Sequence, residues 1–232
     1  KLTKLDGRKF EQFTVTDGDT AEAVRQRILK AAGGALHVTD VASKERKRRP
    51  SPPFTTSTLQ QEAARKLGFS ASHTMRVAQA LYEAGAITYM RTDGVQMDPS
   101  AISAARAAIS DRYGGHFMPE KPRHYETKAK NAQEAHEAIR PTSAKAATIR
   151  EEEWQKLYEL IWKRTMASQM ADAELEKTTV NIEISTNKEE LTASGEVLKF
   201  DGFLKVYRED KDEDDQEESS EGMLPPMTNG QL

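Results

Sequence analysis

The 232-residue sequence predicts an α+β, multi-domain fold in which a helical domain is inserted into a β-rich one. Two observations carry this. Period-two runs of β-formers stand at both ends of the chain: Lys9–Thr16 and Leu36–Ser43 near the start, then Thr178–Ser185, Glu190–Val197 and Leu204–Tyr207 near the finish. Between them the apolar spacing is three and four, punctuated by capping residues and stopping glycines. The expected division is a discontinuous β-rich domain of residues 1–50 plus 176–232, and a helical domain of residues 51–175.

In chain order, Asp17-Gly-Asp-Thr20 is a turn that caps a helix over Ala21–Ala32, with Ala21, Val24, Ile28 and Leu29 as its apolar stripe. Asp17 and Asp19 have the spacing of a metal-binding acid pair, yet no third acid follows, and turn and cap is the reading taken. The strand Leu36–Ser43 continues into a basic run that includes Arg46, Lys47, Arg48 and Arg49, closed by Pro50 to Pro53. These cations suit either a phosphate backbone or the charged protection of a sheet edge. Ser57 and Thr58 have capping-box spacing to Gln60 and Gln61, opening a helix with Leu59, Ala63 and Leu67 on one face. Ser70 or Ser72 starts a second helix, which Gly85 ends. Helix, short turn, helix and strand is the outline of a winged-helix-like unit.

The expected strand is Ala86-Ile-Thr-Tyr-Met90. Alternation places Ile87, Tyr89 and Arg91 on one face, setting a phenol beside a permanently charged guanidinium. Such a pair suits attack on a phosphodiester, although an aromatic on a strand also reads as core. Asp98-Pro-Ser100 caps the next helix, and residues 116–132 read as irregular. His136 and Arg140 share a face if their segment is helical, while Pro141 argues that it is not. Glu151–Ala171 is the longest helix, and Trp154 and Trp162 on it are assigned to packing. Asn187-Lys188 and Asp201-Gly202 are the turns of the closing strands.

Composition sets the outer limits. No window of about eighteen apolar residues exists, so no membrane-spanning helix is expected. Cysteine is absent, which excludes disulfides and cysteine-ligated zinc within these residues. The net charge of −3 hides a division: Glu209 to Glu221 carry −8, leaving +5 for the remainder. That acidic run is expected to be a solvated loop. The chain opens Lys1-Leu2-Thr3 without an initiator Met, which suggests a fragment or a processed chain.

Gly85-x-Ile-Thr-Tyr-x-Arg-Thr-Asp93 resembles the active-site signature of type IA DNA topoisomerases. The run Pro53–Gln61, Leu67-Gly-Phe69, Leu81–Gly85 and Gln133–Pro141 resemble other parts of the bacterial topoisomerase I group, in the same order. The resemblance implies that Tyr89 is the nucleophile, that Arg91 and His136 act on the phosphate, and that a β arch carries the tyrosine-bearing domain. Thr88, Thr92, Asp93 and Arg140, with Arg46, Lys47, Arg48 and Arg49, are the further DNA-contacting candidates. It also implies Mg²⁺ in the complete enzyme, held by acids of a separate N-terminal domain with no match here; no metal ligand is assigned in this chain. Expected partners are single-stranded and negatively supercoiled DNA, for a monomer of the bacterial cytoplasm, associated with the nucleoid and inactive as an isolated fragment. The family usually has serine where this chain has Gly94, and any contact through that hydroxyl is lost. Two other classes fit less well. A tyrosine recombinase would place His-x-x-Arg before its tyrosine, whereas Tyr89 comes first and His136 to Arg140 is one residue too wide. A non-catalytic winged-helix DNA-binding protein fits the helices but leaves the Ile-Thr-Tyr-Met-Arg-Thr-Asp run unexplained.

Overall fold

The computed structural model describes residues 1–11, 13–126, 136–150, 152–184, 189–208 and 230. The acidic run from Glu209, the Asn187-Lys188 turn and Gln133 to Ala135 lie outside the described residues. The described chain is mixed α/β, with one five-stranded sheet and five α-helices. It divides into two compact units, one containing Lys1–Arg46 and Leu175–Lys199, the other Lys47–Glu174 and a segment beginning at Phe200.

The first unit opens with a hairpin where a strand over Lys9–Thr16 was expected. Strands β1 (Leu2–Leu5) and β2 (Arg8–Lys9) pair antiparallel, joined by Asp6 and Gly7 at φ 53° and 76°. Two consecutive positive φ values are the demand of a tight hairpin turn, and Asp-Gly meets it. Helix α1 (Gly18–Ala32) is capped by the Asp17 carboxylate, which accepts from the Thr20 N–H at 2.8 Å. That bond holds the Asp17 carboxyl below its ordinary range and accounts for the Asp17–Asp19 spacing without a metal. The expected apolar stripe of α1 is only partly covered: Val24 and Ile28 are half-buried, Ala21 and Leu29 exposed.

The sheet order is β2-β1-β5-β4-β3, with β3 His37–Arg48, β4 Ala173–Glu183 and β5 Glu190–Phe200. Each long strand passes an expected limit: β3 runs on through the basic residues, β4 starts before Thr178, and β5 continues to Phe200. Cross-strand bonds from Thr39 to Asn181 and Ser43 to Thr178 fix an antiparallel register between β3 and β4. β3 is an edge strand, and acids take up two of its cations: Arg46 meets Glu196 at 3.2 Å, and Lys47 meets Glu174 at 2.9 Å.

The second unit packs α2 (Thr56–Leu67), α3 (Ala71–Glu83), α4 (Pro99–Tyr113) and α5 (Glu152–Ser168). Its core includes Leu59, Leu81, Ile109, Leu157 and Ile161, all fully buried; burial of each such side chain contributes roughly 1.5–3 kcal/mol. The capping box of α2 sits two residues ahead of the expected one: Thr55 and Thr58 exchange side-chain and backbone bonds. Ser70 caps α3 and Asp98 caps α4, as expected. Trp162 is buried, its indole N–H donating to the Ala144 carbonyl at 2.9 Å, so packing is its role.

The expected strand Leu204–Tyr207 is a 3₁₀ turn, Gly202–Lys205, belonging to the helical unit. Gly202 has φ +47°, and a Cβ on it would lie 2.3 Å from the Asp172 carbonyl oxygen, so close backbone approach selects glycine there. The Tyr207 hydroxyl then donates to buried Glu62 at 2.5 Å, while the Arg164 guanidinium lies over the Phe54 and Tyr207 rings and donates to the Pro52 carbonyl. Burial pushes the Tyr207 hydroxyl far above its ordinary range. Among the described residues the run after α3 is not the strand that would complete a winged-helix outline, for reasons that lie in its partner segment.

Candidate active site

Helix α3 ends in a backbone motif that launches the tyrosine-bearing run. Gly85 takes the left-handed conformation at φ 71°, its N–H donates to the Tyr82 carbonyl, and the Ala86 N–H donates to that of Leu81. The chain then leaves extended, but Ala86–Thr92 is not a strand. It forms one isolated bridge, Ile87 to Pro141, beside a second between Phe54 and Ile139. Proline has no N–H to donate, so the partner segment cannot continue a ladder.

Threonine hydroxyls substitute for the missing ladder. Thr88 Oγ1 donates to the Ala138 carbonyl at 2.7 Å and accepts from the Arg140 N–H at 2.9 Å. On the opposite flank Thr56 Oγ1 donates to the Met90 carbonyl at 2.8 Å and accepts from the Thr92 N–H at 2.9 Å. Thr142 Oγ1 closes the near end on the Gly85 carbonyl at 2.7 Å. The expected alternation fails as a result. Ile87 and Met90 enter the core, Tyr89 is half-buried and Arg91 is exposed, so Ile87 and Arg91 do not share a face.

Tyr89 sits between two rings. The Tyr82 ring meets it edge-on at 5.4 Å, and the His136 imidazole lies 4.9 Å away at 51°. The spacing of the helix predicts Tyr82 facing inward with Met75, Ala78 and Leu81, but Tyr82 is exposed on the last turn and meets Tyr89 instead. His136 is exposed on an extended segment, so it and Arg140 do not share a helical face. Arg140 is engaged: its fork binds both oxygens of Glu137 at 2.9 and 2.7 Å, and Glu137 also accepts from the Asp98 N–H. Thr88 and Thr92 have their hydroxyls committed to backbone, whereas Asp93 and Arg91 face solvent. Among the described residues Arg91 makes no hydrogen bond or ion pair, leaving its fork open. Of the basic run, Arg49 is exposed and Arg48 half-buried.

A family model described as DNA topoisomerase matches residues 2–232. The chain belongs to the DNA topoisomerase family. It is 52% identical over 246 aligned residues to DNA topoisomerase 1 of Xylella fastidiosa strain Temecula1, matching 100% of this chain and 30% of that protein. Identity to DNA topoisomerase 1 of Zymomonas mobilis is 54% over 213 residues, 92% of this chain and 17% of that one. In three dimensions it is similar to full-length topoisomerase I from Thermotoga maritima, with a TM-score of 0.74 and 30% identity, covering 99% of this chain and 37% of that one. This topoisomerase-family chain thus spans about a third or less of the length of such relatives.

The described residues of this topoisomerase chain hold no group of three or more His, Asp or Glu that could bind a metal ion. No described helix is long and apolar enough to cross a membrane.

Proposed function

We propose that this chain carries the nucleophile of a type IA DNA topoisomerase. Tyr89 attacks a phosphodiester of single-stranded DNA; the phenol oxygen bonds to phosphorus and the 3′ oxygen leaves, giving a 5′-phosphotyrosine. Religation reverses the exchange, and strand passage between the two steps relaxes negatively supercoiled DNA. The observation that carries this reading is the setting of Tyr89: a half-buried phenol on a clamped run, packed against an imidazole, within a topoisomerase-family sequence.

The open fork of Arg91 suits the non-bridging phosphate oxygens, where charge accumulates as the bond exchanges. His136 either donates to the phosphate or passes the phenolic proton onward. Arg49 and the basic residues at the end of β3 are further phosphate-facing candidates, and Thr88, Thr92 and Asp93 act by holding the run and its polar partners. The type IA resemblance assigns Mg²⁺ of the complete protein to acids of a separate domain, and no step above is routed through it. The complete protein is proposed to act as a monomer in the bacterial cytoplasm, on nucleoid DNA.

The test is a full-length protein carrying this chain, incubated with a single-stranded oligonucleotide and trapped by denaturation. A covalent adduct is expected on Tyr89, and Tyr89→Phe is expected to abolish it while single-strand binding persists. An adduct that survives this substitution on another residue overturns the proposal.

A further inference from the structure

We infer that Gly94 and Thr92 are positioning residues for His136, holding its backbone so that the imidazole packs on Tyr89. The inference rests on the proposed cleavage by Tyr89. Gly94 is buried, and its φ lies outside the left-handed region, so the backbone itself would accept any residue. Contact is what selects glycine here. A Cβ on residue 94 would stand 2.3 Å from the His136 carbonyl oxygen and 3.2 Å from Thr92 Oγ1. Ordinary contact begins near 3.4 Å, so any side chain at 94 forces the His136 backbone back by about 1 Å.

The same carbonyl is tied from the other side. Thr92, only 9% exposed, accepts from the Gly94 N–H at 2.9 Å and donates from Oγ1 to the His136 carbonyl at 3.3 Å. Thr92 is fixed in turn, because its N–H donates to Thr56 Oγ1 at the start of α2. A continuous path therefore runs from α2 through Thr92 to the His136 carbonyl, seated over the bare Cα of Gly94. At its end the exposed imidazole meets the Tyr89 ring at 4.9 Å. The backbone seat sets the origin from which the ring reaches Tyr89, so moving the seat moves the contact.

The experiment compares Gly94→Ala, His136→Ala and the double variant in a full-length protein, reading the rate of covalent adduct formation with a single-stranded oligonucleotide. A displacement of about 1 Å at a reacting group costs up to about a hundredfold in rate, and Gly94→Ala is expected to lose tenfold or more with single-strand binding unchanged. The double variant is expected to be no slower than His136→Ala alone. Parental cleavage by Gly94→Ala, or losses that add in the double variant, overturns the inference. If Gly94→Ala melts early, Thr92→Val against Thr92→Ser takes its place: the hydroxyl-free variant is expected to lose more, again only when His136 is present. The upfield ring-current shift of the His136 imidazole protons, expected in the parent and lost in Gly94→Ala, reads the placement without catalysis. A Tyr89→Phe protein that still cleaves would sink the proposed function, whereas an unchanged His136 shift would sink the positioning alone.

Discussion

Arg91 and His136 make different demands on their substitutions. Arg91 is exposed, with a planar fork and no partner among the described residues. Arg91→Lys keeps the charge but loses the two-pronged geometry, so adduct formation is expected to fall about tenfold or more while single-strand affinity changes little. His136→Ala is expected to lower the same rate, less steeply if the imidazole only positions the strand. Quantified adduct yield against time in a full-length protein checks both, and parental rates for both would make these side chains structural. Arg140 shows how far a sequence reading reaches at this scale. Its residue type suits phosphate, but Glu137 lies three residues earlier, and in an extended segment the two still meet fork to carboxylate. Backbone direction decided that pairing, and Pro141 was its one visible trace.

At the scale of elements, caps and stops were legible because each is a local hydrogen-bonding demand written in one or two residues: Asp17, Ser70, Asp98 and Gly85. The tyrosine run was not, since Ile-Thr-Tyr-Met reads as strand by composition while its fate depends on a proline some fifty residues away. The opening hairpin was written in Asp6-Gly7 and overlooked. Removing the α2 cap by Thr55→Ala is expected to cost about 1 kcal/mol, read as a lowered denaturation midpoint at unchanged slope. A second consequence concerns Tyr125, whose hydroxyl proton is shared between the Ser168 and Pro50 carbonyls and so joins the end of α5 to the segment before α2. Burial pushes it up to about 12. The folded value is raised above the unfolded one near 10, so this stabilisation is complete below about pH 10 and is lost as pH rises towards 12. Alkaline unfolding of the parent is therefore expected to set in earlier than for Tyr125→Phe relative to each protein's stability at pH 8, followed by circular dichroism. Identical relative profiles would contradict it.

For the whole chain, charge is the controlling quantity. Outside the acidic run the surplus is only +5, so binding to single-stranded DNA by this chain alone is expected to be weak and to decline with added salt. Relaxation of supercoiled plasmid is not expected from it with or without Mg²⁺, because no described cluster of acids holds the ion. Plasmid incubation resolved on an agarose gel checks this, and relaxation that vanishes in Tyr89→Phe would return Asp17 and Asp19 to consideration. The Lys47–Glu174 pair has a further consequence. It brings together the residues through which the chain enters and leaves the helical unit, and Glu176 and Lys199 meet likewise, at 3.4 Å, where it leaves and re-enters the other. Severed ends that already touch can be rejoined by a few flexible residues. The stretch 47–174 thus begins and ends at one place, the geometry an insert needs to be carried between two adjacent residues of a foreign host protein.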